Sequence, residues 1–233
     1  MVDMDLVHAL RTTGAIRDFL PDPVPDEVLG RVLETARFSP SGGNAQGWRV
    51  VVVADPVRRS RLRDLYLDGW YDYLAMASAG LRPWSPRNDP TTEAAALVAA
   101  DAIRADAASG PGGFAEHLDE VPVLLVLFAD LGALAAVDRD LERYTFAGGA
   151  SVYPFAWNVL LAARSEGLGG VITTMPIRRE PEVRELLGAP EELALAAVIA
   201  LGHPRHQPTK LSRAPVASFT TVDTVGGTAF GPG

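Results

Sequence analysis

Apolar residues come in two rhythms along this chain, with proline and glycine marking the breaks. Residues 4–11 carry a short helical pattern. "PDPVPDEVLGRVLETARFSPSG" has both helix ends: Pro25 suits a first turn, Asp26 and Glu27 suit its positive dipole, and Pro40 with the glycines stops it. Within it Val28, Leu29, Val32, Leu33 and Ala36 fall on one face. "WRVVVVAD" does not alternate and reads as a strand buried on both faces. Residues 56–80 are helical in pattern and carry Trp70, Tyr71 and Tyr73; "LRPWSPRNDP" is a loop; residues 91–108 form an Ala-rich helix that "SGPGG" ends. "VPVLLVLFAD" is a second buried strand, 139–166 a long helix and "GGVITTM" a third strand. "REPEVRELLG" is a short helix and "LALAAVIALG" a fourth strand. The stretch 214–233 has no helical pattern.

Strands towards both ends with helices between them argue for one α+β domain over residues 1–233. The Pro-rich loop and the "SGPGG" break bound a mid-chain insertion, 82–118, and 214–233 is an extended tail. The helix pattern over 148–166 is apolar nearly all round, interrupted by Asn158. Such a helix has to be covered on every side. A subunit interface is the natural cover, and the tail is expected either to wrap a partner or to fray.

Charge and composition narrow the function classes. A formal net charge of −8 is the wrong field for a phosphate-backbone binder, so no nucleic-acid partner is expected. The longest apolar runs, about ten residues, are short of a bilayer span, so no membrane insertion is expected. "MVDMDLVHAL" carries acids where a secretory signal carries bases, which points to a cytoplasmic protein. With no cysteine, disulfides, thiolate metal sites and Cys nucleophiles are excluded. "GLGG" follows a helix and precedes a strand, the reverse of a dinucleotide fingerprint. "HPRH" is a histidine pair without further ligands, and no metal is expected. No nucleophile elbow anchors a Ser-His-Asp set, so hydrolase chemistry is unsupported.

What stands out is a set of polar features at element ends. In "SPSGGNAQGW", turn chemistry accounts for Pro40, Ser41, Gly42 and Gly43. It does not account for Asn44, Gln46 and Trp48. Arg17 follows "RTTGAI", and Lys210 and Arg213 stand in "KLSR"; Lys210 is the only lysine among 21 basic residues. "GGVITTMP" carries Thr173, Thr174 and Met175.

In this order and spacing the features resemble the FMN-dependent nitroreductase family. The resemblance is carried by "AIRDFLPDPVPDEVLGRVLETARFSPSGGNAQGWRVVVV", by "SVYPFAWNVLLAARSEGLGGVITTMP" and by "VIALGHP" followed by "KLSR". It implies a central mixed, mainly antiparallel sheet flanked by helices, in an intertwined homodimer with two flavin sites. It implies FMN as cofactor, NADH or NADPH as reductant, and ping-pong hydride transfer to a small-molecule acceptor such as a nitroaromatic or quinone. In the same fold stand flavin oxidases and flavin-fragmenting enzymes, and a non-catalytic flavin-binding protein is a further alternative.

The resemblance assigns roles residue by residue. Pro40, Ser41, Gly42, Asn44 and Gln46 contact the flavin of the neighbouring subunit, while Trp48 anchors the strand that follows. Arg17, Lys210 and Arg213 balance the phosphate, with Lys210 or an arginine near flavin N1 as counter-charge. Thr173, Thr174 and Met175 run along the ring, and Gly14 and Ala15 line the same groove. The family has basic and serine positions where this chain has Thr13, Gly14 and Ala15; Arg11, a turn earlier, is the base placed to reach in. The plain alternative for Arg17 is an ion pair with Asp18 or Asp22. Trp70, Tyr71, Tyr73 and Trp84 are candidates for a substrate lid, or else ordinary packing.

Overall fold

The computed structural model describes residues 4–231. Its elements are α1 (Leu6–Thr12), α2 (Asp26–Ala36), β1 (Trp48–Val52), α3 (Pro56–Ser78), α4 (Pro90–Leu97), α5 (Ala100–Ala107), β2 (Val123–Asp130), α6 (Tyr153–Ser165), β3 (Gly169–Thr173), α7 (Glu180–Leu187) and β4 (Leu193–Gly202). The strands form one sheet in the order β1-β2-β4-β3, paired antiparallel. A parallel bridge from Ala15 to Gly170 adds the N-terminal segment beside β3. This is the mixed, mainly antiparallel α+β architecture expected from the sequence.

Strand alternation explains the layering. Leu125 and Leu127 of β2 face one side and pack with Leu29 and Val32 of α2 and Phe155 and Val159 of α6. Leu124, Val126 and Phe128 face the other side and pack with Leu62 and Leu65 of α3 and Val183 of α7. Helices on both faces are why the central strands β2 and β4 are apolar without alternation. Pro56 at the start of α3 and Asp55, whose carboxylate accepts from the Arg58 N–H at 2.8 Å, fix that helix's entry.

Three expectations are corrected. β1 is not buried on both faces: it is an edge strand, and Val52 is exposed. The 91–108 helix is two helices, broken at Val98 and Ala99. The 139–166 helix begins only at Tyr153, with Pro154 in its first turn. Upstream, the buried Asp138 carboxylate accepts from the Phe146 N–H at 2.7 Å and from Arg143 at 2.9 Å. Those bonds curl 138–147 into turns instead of a helix. In α6 one face is buried, while Tyr153 and Trp157, a turn apart, are exposed, as are Tyr144 and Phe146. The tail makes a turn at Val216–Ser218 and a bridge from Thr221 to Ala229, with Phe219 and Phe230 exposed. No helix among the described residues is long and apolar enough to cross a membrane.

Candidate functional site

The segment after α1 is zipped between two strand ends. The Ile16 N–H donates to the Gly170 carbonyl at 2.9 Å, and the Leu20 N–H donates to the His203 carbonyl at 2.8 Å. Ile16 is buried against Gly169, where a Cβ would lie 2.7 Å from Ile16 Cγ1. Extended backbone alternates, so burying Ile16 turns Arg17 the other way. Arg17 thereby lines a cavity of about 370 Å³ with Tyr66, Trp70, Tyr73, Phe114 and residues 172–175. Among the described residues Arg17 makes no ion pair, and Asp18 is taken by Arg205 at 3.1 Å.

The walls of this cavity are aromatic. Trp70 and Tyr73 stack with centroids 5.5 Å apart, and Phe114 meets Tyr66 edge-on at 6.3 Å. Thr173 Oγ1 lies 3.4 Å from Tyr66 Oη. Burial pushes the Tyr66 phenol up, while the Thr173 hydrogen bond and the Arg17 charge pull the other way. Of the four aromatics put forward for a lid, Trp70 and Tyr73 line the cavity. Trp84 packs 6.2 Å from Tyr73 beneath the Arg178 guanidinium, and the Tyr71 hydroxyl donates to Glu116 at 3.1 Å. Tyr66 was not singled out from sequence. It shares a stripe with Trp70 and Tyr73 at i, i+4 and i+7 of α3, the signal by which helix pattern exposes it.

The cations expected to act together are divided. Lys210 and Arg213 line a separate cavity, about 750 Å³, with Arg11, His8, Asp5 and Thr12. The extended 13–17 segment runs from this cavity to the Arg17 one. Gly14 lies on that path, and a Cβ there would meet Leu211 Cδ2 at 3.0 Å. Ala15 and Arg17 also line a shallow third cavity beside His206 and Pro208. Two buried polar atoms along this path have no partner among the described residues: Thr13 Oγ1 and Gln207 Oε1. Gln207 Nε2 is held by the Thr12 carbonyl at 3.0 Å.

The 39–48 loop lines neither the Arg17 nor the Lys210 cavity. Residues 42–46 are exposed, and three of them are left-handed: Gly43 (φ 59°), Asn44 (φ 56°) and Gln46 (φ 50°). Asparagine tolerates this region; glutamine pays about 1 kcal/mol for it. The turn is pinned from both sides, by the Gln46 N–H to Ser41 Oγ at 3.0 Å and the Gly42 N–H to Ser151 Oγ at 3.0 Å. Trp48 leaves the loop for the core, stacked on Phe155 at 4.9 Å.

Residues 10–203 match the Nitroreductase family. The chain belongs to the nitroreductase family. Among its relatives, it is 29% identical over 241 aligned positions to an NADH dehydrogenase of Thermus thermophilus, covering 91% of this chain and 93% of that one. It is 27% identical to human iodotyrosine deiodinase 1, over 88% of this chain but 63% of the deiodinase, so it spans under two thirds of that relative's length. Among solved structures, it resembles iodotyrosine deiodinase bound to FMN and 3-iodo-L-tyrosine with a TM-score of 0.64 at 24% identity, over 94% of this chain and 100% of that one. It resembles a BluB-like flavoprotein from Clostridium difficile 630 with a TM-score of 0.68 at 19% identity, over 95% and 100% of the two chains. At these identities the structural likenesses speak for the nitroreductase fold.

Proposed function

We propose that the chain is an FMN-dependent oxidoreductase, acting as a homodimer, that uses NADH or NADPH to reduce a small organic acceptor such as a nitroaromatic or quinone. The observation that carries this reading is the Arg17 cavity. It sets Arg17, which makes no ion pair among the described residues, beside stacked aromatic side chains, the Glu116 carboxylate and the hydroxyls of Thr173 and Thr174. A flat ring with a polar edge fits such a space: apolar walls take its faces, and hydroxyl, backbone and guanidinium donors take its edge.

The rest of the surface fits the other parts of FMN. Arg11, Lys210 and Arg213 supply positive charge for a phosphate dianion. One such pair at ~4 Å and an effective dielectric of ~20 is worth about 4 kcal/mol before desolvation. Thr13 Oγ1 and Gln207 Oε1, buried and without a hydrogen-bond partner among the described residues, are polar atoms that a ribityl hydroxyl could satisfy. The strained 42–46 loop is exposed on a single chain, as a loop offered to a partner's ring would be. The exposed Tyr144, Phe146, Tyr153 and Trp157 form the apolar surface a dimer interface needs.

Bound there, FMN supplies the hydride-accepting and hydride-donating chemistry. The chain's own residues bind and orient. Arg17 offsets negative charge at the ring edge, Thr173 and Thr174 present hydroxyls, and Trp70, Tyr73 and Phe114 shape the acceptor's space and thin out its water. The test is to purify the protein, count flavin per chain by absorbance, and add NADH or NADPH without oxygen. About one FMN per chain that bleaches supports the reading. Bound flavin that neither nicotinamide bleaches turns it towards an oxidase, a flavin-fragmenting enzyme or a flavin carrier. A protein that binds no FMN refutes it.

A further inference from the structure

The proposed reading leaves one buried phenol in the cavity unused. Tyr66 is 4% exposed, and it lines the same space as Arg17. Thr173 Oγ1, at 3.4 Å, shares a hydrogen bond with its oxygen. Two hydroxyls joined by one hydrogen bond use one of their two protons, and the second is free for a third partner. The charged groups facing Tyr66 are Arg17 and Glu116. Glu116 is committed elsewhere: one oxygen accepts from Tyr71 at 3.1 Å and the other from the Gly113 N–H at 2.7 Å. It opposes loss of the Tyr66 proton, and among the described residues it makes no hydrogen bond to the phenol. Arg17 and the Thr173 hydroxyl stand ready for the negative charge that proton transfer leaves behind. A proton donor needs these two properties together, a held proton beforehand and a stabilised conjugate base afterwards.

We propose that Tyr66 is the proton donor to the acceptor reduced in this cavity, an inference that rests on the oxidoreductase reading above. The acceptor class is a molecule whose two-electron reduction adds hydride and a proton across a C=O or N=O group. The hydride, with its electron pair, would be supplied by the bound cofactor. The Tyr66 O–H bond breaks and an O–H bond forms on the acceptor. The phenolate faces Arg17 and the Thr173 hydroxyl, then regains its proton from solvent when the product leaves. Aromatic walls make such a donor useful, because they keep bulk water from serving.

Its test uses FMN-loaded protein reduced with dithionite without oxygen, so that nicotinamide use plays no part. Reoxidation is timed with benzoquinone, which takes hydride and a proton, and with ferricyanide, which takes electrons alone. Tyr66→Phe is expected to slow benzoquinone by about 10²–10⁴-fold and to leave ferricyanide unchanged. In flavin-free protein, Arg17→Gln is expected to move the tyrosinate absorbance step that Tyr66→Phe removes to higher pH. Benzoquinone reduction at the wild-type rate in Tyr66→Phe, or equal slowing of both acceptors, overturns the assignment of Tyr66 alone. A protein that binds no FMN overturns the oxidoreductase reading and this inference with it.

Discussion

Two glycines separate the packing of this fold from its backbone preferences. Gly170 of β3 is where the N-terminal segment joins the sheet, through the Ile16 N–H to its carbonyl at 2.9 Å. A Cβ at Gly170 would lie 2.4 Å from Leu201 Cδ2, 2.6 Å from the Ala200 carbonyl oxygen and 3.0 Å from Leu160 Cδ2. The leucines can turn away, but the Ala200 carbonyl belongs to β4 and cannot. Overpacking of this kind costs about 1–3 kcal/mol, offset by ~0.4–1 kcal/mol from the stiffer unfolded chain. Because backbone takes part in the clash, Gly170→Ala is expected at the upper end, about 2 kcal/mol less stable, with weaker FMN binding as Arg17 shifts. Gly30 sits inside α2 with nothing within 4 Å of a Cβ. The same substitution there should stabilise by about 0.5–1 kcal/mol. Urea melts of both variants, flavin-free and at one protein concentration, read the pair. Equal stabilities for Gly170→Ala and Gly30→Ala would refute the packing argument.

Three further outcomes are expected. Lys210→Ala should weaken FMN binding by about 1–3 kcal/mol in a fluorescence titration; Lys210→Arg should be milder, and Arg205→Ala, whose partner is Asp18, should leave affinity alone. Trp157→Glu, on the exposed face of α6, should give a monomer by light scattering; a dimer that persists would place the interface elsewhere. The Phe146 N–H foremost, and Arg143 with it, holds the Asp138 carboxyl below the usual carboxylate range. The 138–147 turns should therefore be fully stable at neutral pH and loosen as pH falls through that lowered value, seen as smaller amide protection factors at Phe146 and Ala147 once the pH dependence of intrinsic exchange is divided out. Unchanged protection in acid would refute the role given to Asp138.

The layers were legible in the sequence because they follow from periodicity. Non-alternating β2 read as a buried strand and β4 as a strand, and α2 showed its face and both ends. "WRVVVVAD" carries the same signal at an edge as in the middle of a sheet, and only the neighbours decide; here β2 alone flanks it. The break at Val98 and Ala99 carries no proline or glycine to announce it. The false helix over 139–152 was undone by a long-range feature, the buried Asp138 gathering backbone N–H groups. At the site, Arg17 was legible from its place in "GAIRDF", and the structure groups it with Thr173, Thr174 and Met175. Its separation from Lys210 and Arg213 was not, because it depends on where the chain runs after β4. Tyr66 was missed because a tyrosine in a helical apolar stripe reads first as packing.

The proposed homodimer would build each flavin site from two chains, with Arg17 and the 172–175 turn from one and the 40–46 loop from the other. Mixing tests it directly. Arg17→Gln chains and chains carrying Asn44→Ala with Gln46→Ala should each bind FMN poorly alone. Unfolded together and refolded at equal amounts, about half of the dimers will be mixed, each with one intact and one doubly altered site. Recovery of tight FMN binding at about a quarter of all sites is the expected result. No recovery beyond the average of the two separate variants would contradict a site shared between subunits.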